Sequence, residues 1–119
     1  MTKEQYNTLE SELERRGYKK YHNGHTNEDY GWFKSPIPCK SEWNNSPYQI
    51  EFAVWDYTDY KKSRNDDRFP DYGITVAILV STDKIDRIDM ELSYENQSID
   101  DIERIAASFY EWCENNLKK

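Results

Sequence analysis

Alternating apolar and polar positions dominate the middle of this chain. In residues 48–58, YQIEFAVWDYT, one face is Ile50, Phe52 and Val54, as expected of a strand laid on a core. The alternate positions are Glu51, Ala53, Trp55 and Tyr57, a set too apolar for plain solvent and too polar for a plain core. In 72–81, Tyr72, Ile74, Val76, Ile78 and Val80 alternate with Gly73, Thr75, Ala77 and Leu79. In 86–94, Ile88, Met90, Leu92 and Tyr94 alternate with Asp89, Glu91 and Ser93, a face made for water. The turn at 82–84 between these last two runs predicts an antiparallel hairpin.

Helical spacing appears at both ends. Tyr6, Leu9 and Leu13 recur at i, i+3, i+7 behind Thr2 and Gln5, which form a capping-box pattern, and Arg15-Arg16-Gly17 supplies cations and a glycine stop. Ile99, Ile102, Ile105, Ala106, Phe109 and Cys113 form a continuous stripe behind a second capping box, Ser98 and Asp101. Between the first helix and the quoted strand, Asn23-Gly24 predicts a hairpin with strands at 18–22 and 29–35. The proline-rich stretch 35–47 reads as a connection, and 58–71 as a long polar loop.

The pattern therefore predicts one α+β domain over 1–119, in the order α-β-β-β-β-β-α. Short connections favour a meander: a two-layer sandwich of about five antiparallel strands with the N-terminal and C-terminal helices on one face. The open question is what touches the other face at Trp55 and Tyr57. Three covers fit the pattern: the 35–47 loop with Ile37 and Trp43, a second copy of the chain, or a partner or ligand. Aromatic residues suit the buried centre of an interface.

Composition sharpens this picture in a few places. Aromatic residues make up 15% of the chain against a hydrophobic share of 36%, so large rings can supply core area that aliphatic residues do not. The first residues, MTKEQYNTLE, lack the basic-then-apolar order of a secretion signal, and no run of about 18 apolar residues would cross a membrane. The expectation is a cytoplasmic protein with Cys39 and Cys113 reduced and the Asn44 and Asn96 glycosylation patterns unused. A net charge of −7 argues against direct binding to nucleic acid.

Candidate chemistry is sparse. His22, His25, Glu28 and Asp29 carry metal-ligand residue types, but on a polar hairpin tip, so no metal or other cofactor is expected. Asp56, Asp59, Asp66, Asp67 and Asp71 are interspersed with Lys61, Lys62, Arg64 and Arg68, which suits a salt-bridged loop better than paired catalytic acids. Cys113 falls on the helix stripe, and the glycines are scattered as turn and cap residues rather than gathered in a phosphate loop. Residues 86–103 hold Asp86, Asp89, Glu91, Glu95, Asp100, Asp101 and Glu103 against Arg87, an acidic stretch that could steer a basic partner.

The functional expectation is a non-enzymatic, acidic protein that binds another protein or a second copy of itself, as an accessory, inhibitor or immunity-type protein. The residues proposed to meet the partner are Trp55, Tyr57, Leu79, Glu51, Glu91 and Asp101. The alternative is a small-molecule binder or small enzyme with an aromatic pocket between Trp32, Trp43, Trp55 and Tyr57.

Overall fold

A computed structural model describes residues 1–22, 30–37, 47–82, 85–95 and 97–117. Helix α1 (Lys3–Arg15) starts on the expected capping box: the Gln5 N–H donates to Thr2 Oγ1 (3.2 Å), and the Thr2 N–H donates to Gln5 Oε1 (2.8 Å). It stops at Gly17, whose φ of 88° lies in the left-handed region that glycine enters without a Cβ penalty. The Tyr18 N–H then reaches back to the Leu13 carbonyl (3.0 Å), which satisfies one of the helix's last free acceptors.

Strands β1 (Lys19–Tyr21), β2 (Tyr30–Ile37), β3 (Tyr48–Asp56), β4 (Tyr72–Thr82) and β5 (Ile85–Ser93) form one sheet in the order β1-β2-β3-β4-β5. Every neighbouring pair is antiparallel, so the sheet is the expected meander. The β2–β3 register slips between Lys34 and Ile37, where Pro36 has no N–H to give to a ladder. Helix α3 (Ile99–Asn116) closes the described chain and carries the second capping box, Ser98 with Asp101.

One element was not expected from the sequence. The 58–71 segment holds a short helix, α2 (Thr58–Arg64), with no buried residue. It is started locally: Asp56 Oδ1 accepts from the Thr58 N–H (2.9 Å) and hydroxyl (2.5 Å). It ends at Asn65, whose φ of 48° is a left-handed conformation that asparagine tolerates. Asp56 thus ends β3, and the strand does not run on to residue 58.

Both long helices lie on the same face. Tyr6, Leu9 and Leu13 of α1 and Ile99, Ile102, Ala106 and Cys113 of α3 share one core with Ile50, Phe52, Val54, Val76, Ile78 and Val80. Burying a side chain of this size stabilises the fold by about 1.5–3 kcal/mol. Aromatic side chains tie the helices to the sheet. Tyr6 stacks on Tyr72 with ring centroids 4.4 Å apart, and Tyr48 stacks on Tyr110 at 4.9 Å. The buried polar tips find partners: Trp32 Nε1–H donates to Tyr6 Oη (3.4 Å), and the Tyr6 hydroxyl donates to Glu10 (2.7 Å).

Candidate functional site

The face of the sheet away from the helices collects the alternate positions of every strand. Its rows follow from the register. One runs Tyr21, Gly31, Ala53, Thr75, Ser93, and the next runs Lys19, Phe33, Glu51, Ala77, Glu91. A third holds Gln49, Leu79 and Asp89, and Trp55 lies opposite Gly73 at the end. Glu51, Ala53, Trp55, Thr75, Ala77 and Leu79 are partly buried, while Asp89, Glu91 and Ser93 are exposed. Among the described residues no helix or strand is stacked over these rows.

Two tyrosine rings crowd the space beside glycines along this face. A Cβ on Gly31 would fall 2.4 Å from the Tyr21 ring, and one on Gly73 would fall 3.0 Å from the Tyr57 ring. The rings occupy space that only a missing side chain leaves, and they shield backbone that glycine would otherwise expose. Tyr21 also meets Phe33 edge-on, with centroids 5.8 Å apart.

The Tyr57 corner is built by the segment after β3. The Tyr57 N–H donates to the Asp71 carbonyl (2.9 Å), which closes the excursion that carries α2. Asp71 holds that closure from its side chain too: its carboxylate accepts from Lys61 Nζ (2.9 Å) and from the Lys3 N–H (3.1 Å). These bonds, Lys61's foremost, hold the Asp71 carboxyl below its ordinary range. Phe69 then reaches Tyr57 (5.8 Å between centroids) and Tyr60 (4.9 Å), and Arg64 sits 5.4 Å over the Tyr60 ring. Tyr60 and Phe69 remain 42% and 37% exposed, so the corner is a surface cluster and not a core.

Part of the question at Trp55 and Tyr57 is thereby answered: Phe69, from the excursion itself, covers Tyr57. Ile37 ends a strand whose backbone is described, but its side chain and Trp43 lie outside the described residues, as does most of the 35–47 cover. The four-residue aromatic pocket does not assemble as expected. Trp32 pairs with Phe52 on the helix face and is buried there, whereas Trp55 has the opposite parity.

The six residues expected to meet a partner fall in three places. Trp55 and Tyr57 form the corner. Leu79 lies six positions along β4 from Gly73, the residue opposite Trp55, and is therefore about 20 Å away on the same face. Glu51, between Phe33 and Ala77, accepts from Gln49 Nε2 (2.6 Å), and Glu91 follows in the same row. Asp101 sits in the helix layer instead, where it caps α3 and pairs with Arg104.

The acidic stretch is divided in the same way. Asp89 and Glu91 project from the open face, but Asp100 and Glu103 turn towards bases from other elements. Arg16 bonds Asp100 (2.6 Å) and Glu12 (2.8 Å) and approaches Glu103 (3.7 Å), joining α1 to α3. Hydrogen bonds from Arg15 and Arg16 hold the Glu12 carboxyl down to about 2, and Arg16 lowers Asp100 as well. Beside this junction a groove of about 590 Å³ opens between α1 and the end of β5, lined by Met1, Gln5, Leu9, Glu12, Tyr94 and Ile99 among others.

Other candidates resolve as local structure. Asp66 pairs with Arg68 (2.9 Å), and Cys113 is a free, fully buried thiol whose pKa burial pushes up. Among the described residues no three His, Cys, Asp or Glu side chains converge on a point that could hold a metal ion. His22 is exposed; His25, Glu28, Asp29 and Cys39 lie outside the described residues. No described helix is long and apolar enough to cross a membrane.

Tyr60 and Phe69 went unseen in the sequence. Tyr57, Tyr60 and Arg64 follow helical spacing, i, i+3, i+7, directly after an Asp-x-Thr turn pattern, and that was the available clue. No family model matches this chain, and neither a curated protein nor a solved structure matches it.

Proposed function

We propose that this protein works by binding another protein, or a second copy of itself, through the open face of its sheet, with the Trp55–Tyr57 corner as the anchor. One observation carries the reading: β3 and β4 present Ala53, Trp55, Ala77 and Leu79, apolar and only partly buried, opposite the helix layer, with rings gathered at one end. Aromatic anchors of this kind supply much of the binding energy in protein interfaces. The reading makes it a non-enzymatic accessory or inhibitor-type protein of the cytoplasm, where the free Cys113 stays reduced. In its inhibitor form a basic target meets Glu91 and Glu51 across the open face, and Asp101 acts through the stability of α3.

Light scattering on the wild type and on Trp55→Ala is the first test, with a matched pull-down from the host lysate. Trp112→Ala is the control, because Trp112 is 51% exposed on the helix layer. The expected result is a dimer or a captured protein that Trp55→Ala loses and Trp112→Ala keeps. The reading falls if Trp55→Ala changes neither mass nor capture while the variant stays folded.

A further inference from the structure

The open face is lopsided, and its two halves are complementary to each other. On the β1–β2 side it is bulky: Phe33 meets Tyr21 edge-on, and the Tyr21 ring fills the place of a Gly31 side chain. On the β4–β5 side it is low, with Thr75, Ala77 and Ser93. Charge divides the same way. Lys19 stands on β1 and Glu91 on β5, both exposed, and among the described residues no side chain pairs with either. The register sets them at opposite ends of one row, Lys19, Phe33, Glu51, Ala77, Glu91, with β3 in the middle. Asp89, which has a partner of its own, and Arg87 lie about 7 and 13 Å along β5 from Glu91, outside this row.

We propose, resting on the reading of the open face as the binding surface, that its occupant is a second copy of this chain, packed face to face about a two-fold axis that runs along β3. Such an axis lays β1 of one copy over β5 of the other and β2 over β4, and it keeps every row on itself. Lys19 then meets Glu91 of the second copy, twice in the dimer. Phe33 meets Ala77 and the Tyr21 ring meets Thr75, large against small in both cases. Trp55 meets its own copy beside the axis.

Aligned sheets pack about 10 Å apart and about 30° askew. Edge strands about 10 Å from the axis are then offset by about 5 Å, which a lysine and a glutamate are long enough to bridge. One pair opposes the arrangement. Glu51 lies beside the axis and faces its own copy, with its carboxylate drawn aside by Gln49 Nε2 (2.6 Å). Like charges set opposite one another are destabilising, so this pair weakens the dimer that the outer pairs favour.

Light scattering over a range of concentrations reads the dimer, with circular dichroism to check that each variant is folded. Lys19→Glu and Glu91→Lys should each weaken it about tenfold, because each sets like charges together at two symmetric places. An equimolar mixture of the two should return to within about threefold of wild type, since both contacts of the heterodimer then join opposite charges. The double variant Lys19→Glu/Glu91→Lys should dimerise as wild type does, and Glu51→Gln should dimerise more tightly. A dimer indifferent to Lys19→Glu, folded variants that do not rescue each other, or a Glu51→Gln dimer weaker than wild type each overturns the proposal. A monomeric wild type that captures another protein through Trp55 also overturns it, but leaves the open face as the binding surface. A monomer that captures nothing overturns both.

Discussion

Phe52 and Ala53 are neighbours in the same central strand, yet they belong to different kinds of surface. Phe52, with Ile50, Val54, Val76, Ile78 and Val80, is fully buried beneath two helices. Ala53, with Glu51, Trp55, Thr75, Ala77 and Leu79, is partly buried on a face with no described helix above it. Backbone, strand order and register are common to both. The difference comes from the helices, which find enough apolar area on one parity to bury their own stripes and leave the other parity without a described helix above it. An intermediate face is thus what a strand pattern produces when only half of its alternation is packed beneath helices.

Adjacent substitutions on β4 break this comparison most sharply. Ile78→Asp places a carboxylate in a fully buried site and should cost about 4 kcal/mol or more, a large share of the stability of an ordinary domain. Leu79→Asp, one residue along, should stay within about 1 kcal/mol of wild type in urea denaturation. Similar losses at the two positions would mean that the open face is covered in the free protein.

A smaller effect sharpens the account of the open face itself. Gly31→Ala must lift the Tyr21 ring, because its Cβ would fall 2.4 Å away, and should cost about 1 kcal/mol. In a Tyr21→Ala background the same change should cost nothing, a coupling that a double-mutant cycle measures directly. Additive costs would show that the ring does not rest on the glycine.

The smallest effect belongs to the helix face. Arg16→Met removes the cation that joins Glu12 and Asp100, so its thermal midpoint should fall below wild type at neutral pH. Arg16 is the first cause of the lowered Asp100 carboxyl and, after Arg15, shares in lowering Glu12, so its contribution is complete above their ordinary values of 3.8 and 4.5 and fades as pH falls below them. The gap between wild type and variant should close over that range. A gap independent of pH would assign the loss to packing of the arginine stem.

The fold was readable because its determinants are local. Thr2 with Gln5 and Ser98 with Asp101 announce two helix starts within four residues each, and strict alternation at 48–56 and 72–93 makes the strands visible. Helix α2 was missed for the opposite reason: with no buried residue it has no apolar stripe to display, and only the Asp56 turn and Asn65 mark its ends. At the candidate site, parity put Trp55 and Tyr57 on the correct face. It could not show that Phe69 would return to Tyr57, which depends on the Asp71–Lys61 closure. Nor could nearness in sequence separate Glu91 from Asp101, since the chain reverses between them and carries one to the open face and the other to the helix layer.

The contacts of α1 also set an order of events. Each strand pairs with its sequence neighbour, so the sheet can assemble one hairpin at a time from contacts that close early. Helix α1 has no such local support. It is 13 residues long, marginal on its own, and is held by Trp32, bonded to Tyr6, by Tyr72, stacked on Tyr6, and by Asp100, 84 residues beyond Arg16. Helix α1 comes before β4 and α3 in the chain, so its Tyr6–Leu9–Leu13 stripe stays exposed until they are in place.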